Sequence, residues 1–219
     1  MQMPFQSVIF DLDGTLADTL ADLADATNYA LAAHGYPVHA TEKYRYFVGN
    51  GARELIRRAL PDGLQDFTSV YNTYIAYYGD HYLEKTCAYP GLPEAVQSLK
   101  QAGVKLGVVT NKPHYRAREI VEKFYPGLFD CIAGQQEGYL PKPDPALTLH
   151  VLEEIGGRQD STAFVGDSNV DIHTAHAAGL YPVGVLWGFR DRAELESSGA
   201  RAIVSDAEEL LQVLQGGQI

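Results

Sequence analysis

Asp11-Leu12-Asp13-Gly14-Thr15 places two carboxylates two residues apart, directly after the apolar run Val8-Ile9-Phe10. In an extended segment, side chains at i and i+2 share a face, so both carboxylates converge at the end of a strand. Carboxylates this close repel one another and call for a cation. They also suit a division of labour in which one attacks while the other gives and takes a proton. Gly14 lets the chain turn sharply and offers amides to an anion. Three further segments share this character. Val108-Val109-Thr110-Asn111-Lys112-Pro113 ends an apolar run in a hydroxyl and an amide, both able to hydrogen-bond a phosphoryl oxygen. Lys142 lies between Pro141 and Pro143, which stiffen the loop and aim a fixed cation. Val165-Gly166-Asp167-Ser168-Asn169-Val170-Asp171 brings two carboxylates, four residues apart, to the start of a helix. Hard oxygen donors of this kind suit Mg²⁺. Each segment also has a plainer reading: an Asp-Gly turn, a helix cap, a solvated lysine, acidic groups complementing a helix N-terminus. Plain readings would scatter along a fold, whereas all four segments follow strand-like runs or their loops.

Those residues meet only if the elements before them lie side by side. The runs at 7–10, 106–109, 163–165, 183–186 and 202–204 read as parallel strands buried on both faces. Amphipathic stretches at 93–102, 145–155, 170–178 and 206–214 alternate with them, and Gly103, Gly156-Gly157 and Gly179 stop the first three. This alternation predicts an α/β fold, a doubly wound, Rossmann-like parallel sheet. Ligands bind outside the carboxyl ends of such strands, where Asp11, Thr110, Lys142 and Asp167 would gather. One region breaks the rhythm. From Leu16 to Tyr89 no convincing strand occurs, and helices are expected after Thr19, over 52–60 and over 65–83. Thr19 is the expected cap of the first, with Asp22 as a capping-box partner. The chain is therefore expected to form a core domain of residues 1–15 and 90–219 with an inserted helical cap domain of residues 16–89.

Composition narrows the function classes. The 219 residues carry 17 Lys+Arg against 28 Asp+Glu, a formal net charge of −11, which excludes a broad basic face for nucleic acid. Hydrophobic content of 46% and charged content of 21% are ordinary for a globular chain and exclude intrinsic disorder. No apolar run approaches the ~20 residues of a membrane span, and Met1-Gln2-Met3-Pro4 does not begin a secretory signal. Cys87 and Cys131 make no disulfide framework, so a reducing cytoplasm is the expected compartment.

With its four motifs in this order, the sequence resembles the haloacid dehalogenase superfamily of phosphohydrolases over essentially its whole length, the helical insertion matching that family's small cap. The true dehalogenases of the superfamily lack the second aspartate of the first motif. Asp13 is present here, and the resemblance is to the Mg²⁺-dependent phosphatases. Finer similarity, in Val48-Gly49-Asn50-Gly51-Ala52, Val109-Thr110-Asn111-Lys112-Pro113 and Gly184-Val185-Leu186-Trp187-Gly188, is to the phosphoglycolate phosphatases. The resemblance implies Asp11 as nucleophile, forming an aspartyl-phosphate, and Asp13 as general acid and then base. It further implies Gly14, Thr110, Asn111 and Lys142 around the phosphoryl group. Mg²⁺ would be held by Asp11, the carbonyl of Asp13 and Asp167, with Asp171 acting directly or through a water. The expected partner is a small phosphorylated metabolite, the expected assembly a monomer or homodimer. Phosphosugar mutases and pyrophosphatases use the same scaffold, and a non-catalytic phosphometabolite-binding protein would have damaged motifs.

The cap must supply substrate selection, since the strand-end residues address only phosphate and metal. Arg53, which follows the Gly49-Asn50-Gly51 loop and starts a predicted helix, is with Asn50 the expected partner of a substrate carboxylate. That loop lacks the third glycine of a dinucleotide fingerprint and follows no strand. Tyr71, Tyr74, Tyr78 and Tyr82, at helical spacing, are expected to pack the cap core. Arg57-Arg58 reads as a solvated helix face. His173 and His176 read as exposed or packing residues beside hard ligands.

Overall fold

The structure is a computed structural model and describes residues 4–61 and 67–216. Strand β1 spans Ser7–Phe10 and a short β2 spans Ala17–Asp18. The helical insertion follows, with α1 at Leu20–Ala33, a 3-10 segment at Thr41–Tyr46, α2 at Ala52–Ala59 and α3 at Phe67–His81. The expected start of this third helix at Gln65 lies outside the described residues. After β3 (Cys87–Ala88) the α/β alternation runs through α4 (Leu92–Gln101), β4 (Lys105–Pro113), α5 (His114–Phe124), β5 (Cys131–Gln135) and α6 (Ala146–Glu154). It ends with β6 (Thr162–Gly166), α7 (Asn169–Ala177), β7 (Tyr181–Val185), α8 (Arg192–Ser197), β8 (Ala202–Val204) and α9 (Ala207–Leu214).

The main sheet has six parallel strands in the order β5-β4-β1-β6-β7-β8. β1 sits centrally, with Phe10 opposite Val108 of β4 and Val165 of β6. Strand order reverses there, opening the crevice that a doubly wound sheet leaves at its switch point. The residues just past Phe10, Val109 and Val165 thus become neighbours. Both faces of the sheet are covered. Val8, Phe10, Ala163 and Val165 point into one apolar layer, and Ile9 and Phe164 into the other. This is the period-2 alternation of a strand buried on both sides.

Three expectations are corrected. The sixth strand, β5, was not expected, because Cys-Ile-Ala-Gly-Gln carries little of the β-branched signal. The stretch 16–89 does contain strands. Ala17 pairs antiparallel with Ala88 and Asp18 with Cys87, tying together the two chain crossings of the helical insertion. Thr19 precedes α1 but makes no side-chain cap, and Asp22 serves no capping box. The buried Asp22 carboxylate instead accepts from the Lys85 amide at 3.0 Å, the Thr86 amide at 2.8 Å and the Thr86 hydroxyl at 2.7 Å. It fixes α1 to the returning chain.

The insertion has its own core, in which Leu23, Ala30 and Leu31 of α1 meet Leu55 and Ile56 of α2 and Val70, Tyr74 and Tyr78 of α3. Tyr71 and Tyr82 pack against its edge. It rests on the sheet edge through hydrogen bonds from side chains to carbonyls. Arg45 donates to Gly188 at 2.5 Å and Phe189 at 3.2 Å, Arg190 to Val48 at 3.0 Å and Asn111 to Gly49 at 2.9 Å. Among the described residues no helix is long and apolar enough to cross a membrane. Cys87 and Cys131 are free thiols.

Candidate active site

Asp11 follows β1 and extends its ladder through an amide bond of 2.9 Å to the Val165 carbonyl. Its carboxylate stands against Asp167, past β6, and Asp171, at the start of α7. One oxygen from each of the three lies within 4.8 Å of the others. Asp167 fits only because glycines surround it. A Cβ on Gly14 would stand 2.4 Å from Asp167 Oδ2, and one on Gly188 would stand 2.3 Å from Asp167 Cβ. Gly14 is also in the left-handed region, φ 84°, which other residues rarely adopt. The Phe189 amide donates to Asp167 Oδ2 at 2.7 Å and so fixes the carboxylate. Lys142 Nζ lies 2.8 Å from Asp11 Oδ1 and 2.6 Å from Asp171 Oδ1. Asp171 Oδ2 accepts from the amide and hydroxyl of Ser168, closing the start of α7.

Three buried carboxylates around a single ammonium lack positive charge. Burial pushes the Asp11 carboxyl up to about 7, with Asp171 and Asp13 adding repulsion and Lys142 opposing. Burial, with Asp171 and Asp11, likewise raises Asp167 well above the ordinary carboxyl range. Burial works against charge on Lys142, but Asp11 and Asp171 outweigh it and hold the lysine cationic. Asp11 Oδ1 is buried, and the Lys142 ammonium at 2.8 Å is its partner. Three hard-oxygen donors grouped within 4.8 Å, with more negative charge than one ammonium balances, fit a divalent cation such as Mg²⁺. Asp11 and Asp167 are the carboxylates best disposed to hold it. Both oxygens of Asp171 already have partners, which makes Asp171 foremost the residue that positions Lys142.

Asp13 leaves this cluster. Its Oδ1 accepts from the Thr19 hydroxyl at 2.7 Å and from Lys112 Nζ at 2.9 Å. Its carboxylate is therefore not one of the grouped metal donors, and the expectation of Asp13 in the metal set rests on its carbonyl. Thr110, buried in β4 just past Val109, lines the same cavity as Asp11 and Asp13. Asn111 lines it too, but its side chain is fully engaged. Nδ2 donates to the carbonyls of Gly49 and Lys142, and Oδ1 accepts from the Lys142 amide at 2.7 Å. The side chain expected to bind phosphate is instead a latch joining β4, the lysine loop and the cap. The Gly14 amide donates to the Ala17 carbonyl at 2.9 Å, so the expected anion site there loses that donor.

The cap residues are placed differently from expectation. Arg53 is exposed and does not line the cavity. Its guanidinium lies 5.0 Å from the Phe67 ring centre and 5.2 Å from that of Tyr71, because packing of α2 on α3 turns it outward. Asn50 Oδ1 accepts from Arg58 Nη2 at 2.7 Å, and Asn50 likewise does not line the cavity. Arg58 is not a solvated face, since it also donates to the carbonyls of Tyr46 and Phe47 and so shapes the loop. Arg57 is exposed and paired with Glu54. His173 and His176 are exposed. Tyr74 and Tyr78 both pack the cap core and line the cavity. The motif reading passed over Lys112. β4 is irregular between Val109 and Pro113, and that local path, which period-two spacing does not encode, carries the Lys112 ammonium to Asp13.

A family model described as haloacid dehalogenase-like hydrolase matches residues 8–185. The chain belongs to the haloacid dehalogenase-like hydrolases. It is 35% identical to a phosphoglycolate phosphatase of Pseudomonas putida over 93% of this chain and 78% of that protein. Identity to a phosphoglycolate phosphatase of Haemophilus influenzae is 34% over 98% of this chain and 100% of that one. A crystal structure from Lactobacillus delbrueckii subsp. bulgaricus, described provisionally as a phosphoglycolate phosphatase, superposes with a TM-score of 0.93 at 33% identity, covering 97% of this chain and 99% of that one. The parallel sheet with its carboxylates at the strand ends is thus the fold of this hydrolase family, and the chain is a phosphatase of that kind.

Proposed function

We propose that the protein hydrolyses a small phosphomonoester through an aspartyl-phosphate, with Mg²⁺ as cofactor and 2-phosphoglycolate as substrate. The observation that carries this reading is the contrast between two carboxylates facing one cavity. Asp11 sits in a dry, acidic cluster beside Lys142, while Asp13 is turned to Thr19 and Lys112. Groups held so differently can take different roles. An Asp11 oxygen attacks phosphorus, the phosphorus–ester oxygen bond breaks and Asp13 gives its proton to the departing oxygen. Asp13 then takes a proton from the water that attacks the aspartyl-phosphate, which releases phosphate and restores Asp11. Lys142 balances charge between Asp11 and the phosphoryl group, and Thr110 holds a phosphoryl oxygen. When bound by Asp11 and Asp167, Mg²⁺ supplies further neutralisation of the phosphoryl oxygens. The similar phosphatases named above favour 2-phosphoglycolate, and the two free cysteines are consistent with a reducing, cytoplasmic setting. Phosphate release from a panel of phosphomonoesters, with Mg²⁺ and with chelator, tests this. The expected result is release from 2-phosphoglycolate that chelator abolishes. Release unaffected by chelator, or from no ester, overturns it.

A further inference from the structure

We propose that Lys112 and Tyr78 form the subsite for the substrate's carboxylate, a role that rests on the phosphatase reading above. The groups at the strand ends all address phosphate or metal, so an acid group on the substrate must be met elsewhere in the cavity. The cavity is narrow, about 40 Å³, and its cap side is largely apolar, with Leu23, Val48, Leu55 and Ile75. The cationic residues lining it are Lys112 and Arg116. Arg116 is committed to Glu119 at 2.7 Å, the Gly79 carbonyl at 2.9 Å and the Tyr82 ring at 4.1 Å. Lys112 is buried, and its ammonium has three donors, of which Asp13 takes one.

Tyr78 supplies the second, independent observation. It is 6% exposed and lines the cavity, and its buried hydroxyl has no hydrogen-bond partner. Leaving a buried hydroxyl unsatisfied is costly, which points to a ligand that completes it. Burial also raises its pKa well above the usual phenol value, so the group remains a donor. Lys112 Nζ lies 5.2 Å from the Tyr78 ring centre, which brings the ammonium and this tyrosine to the same end of the cavity.

The spacing limits the ligand. Thr110 and Lys112 both line the cavity, and the Lys112 amide donates to the Thr110 hydroxyl at 3.2 Å, so the two residues sit side by side within reach of one short ester. Lys112 also touches the acid that would protonate the leaving oxygen. A carboxylate held by Lys112 therefore lies close to the ester oxygen, as it does where one carbon separates them. The chemical class is a 2-phospho carboxylic acid, of which 2-phosphoglycolate is the smallest.

The experiment compares kcat/KM for 2-phosphoglycolate and for ethyl phosphate, equal in carbon count but without the carboxylate. Lys112→Met, Lys112→Arg and Tyr78→Phe are measured beside the parent protein. Loss of a charge-assisted contact predicts that Lys112→Met loses about 10- to 100-fold on 2-phosphoglycolate beyond any loss on ethyl phosphate, chiefly through KM. Lys112→Arg recovers part of it. Tyr78→Phe removes a single atom without a partner, so it keeps the fold and gives a smaller loss of the same selectivity. Equal losses on both esters would mean that Lys112 acts only through Asp13 and would overturn the subsite while leaving the phosphatase reading intact. Parent protein equally fast on both esters would do the same. No phosphate from either ester would overturn both readings together.

Discussion

On the core side, Asp11 opens onto the cavity and behind it stand Lys142, Asp167 and Asp171; each is at most 6% exposed, the three carboxylates lie within 4.8 Å of one another, and Lys142 pairs with Asp11 and Asp171. On the cap side stand Leu23, Val48, Leu55 and Ile75 with two tyrosines, and the cap's arginines are used elsewhere. Arg53 lies on aromatic rings, Arg57 and Arg58 hold Glu54, and Arg45 holds carbonyls of the core. The core concentrates charge that costs stability and awaits a ligand. The cap supplies shape and exclusion of water, which strengthens those charges. Substitutions in the core should therefore damage turnover more than folding, and substitutions in the cap, Tyr78 apart, the reverse.

The sharpest test is Asp11→Asn. Loss of the nucleophile should cut turnover of 2-phosphoglycolate by about 10⁴-fold or more. The metal-free protein should unfold no more readily at neutral pH, since the change removes a charge from a site with too many. A variant that retains activity, or one that unfolds, would break the comparison.

Metal-free stability should fall as pH rises. The folded state holds the Asp11 proton to about pH 7, while the unfolded chain releases it near 3.8. Stability from this group is complete below 3.8 and lost as pH climbs through 7. Asp167 acts in the same direction. Urea unfolding in chelator should show roughly 2–3 kcal/mol less stability at pH 7.5 than at pH 5. Mg²⁺ should flatten the profile, and a flat profile in chelator would show that the carboxylates do not share the strain.

Asp22→Ala tests the cap. It leaves the Lys85 and Thr86 amides and the Thr86 hydroxyl without their acceptor, which should cost about 1–3 kcal/mol in denaturant unfolding. Turnover at saturating substrate should change only a few-fold. The smallest effect belongs to Arg53→Ala. Loss of two cation–π contacts at an exposed site should cost about 1 kcal/mol or less. The ratio of kcat/KM between carboxylated and uncharged esters should not move, and a selective loss would return Arg53 to the site.

The chain itself determined what local spacing can encode. Apolar runs ending in Asp11, Thr110 and Asp167 announced strands with chemistry at their carboxyl ends. A rigid Pro-Lys-Pro announced a fixed cation, and 219 residues at a net charge of −11 excluded a nucleic-acid face. What only the tertiary structure decided is which partner each side chain takes when several are in reach. Thr19 and Asp22 have the spacing of a capping box, yet each is drawn to a distant group, Asp13 and the Lys85–Thr86 amides. Asn111 had a phosphate-binding pattern, but the lysine loop and the cap claim its amide. Arg53 is of the right type at the start of α2, just past the right loop, and the packing of α2 on α3 turns it to solvent. The reason is common to all four. Spacing along a helix or strand fixes which residues share a face, whereas a hydrogen bond or ion pair goes to the partner that burial brings within about 3 Å. Those partners exist only once β1, β4 and β6 stand side by side and the cap lies across them.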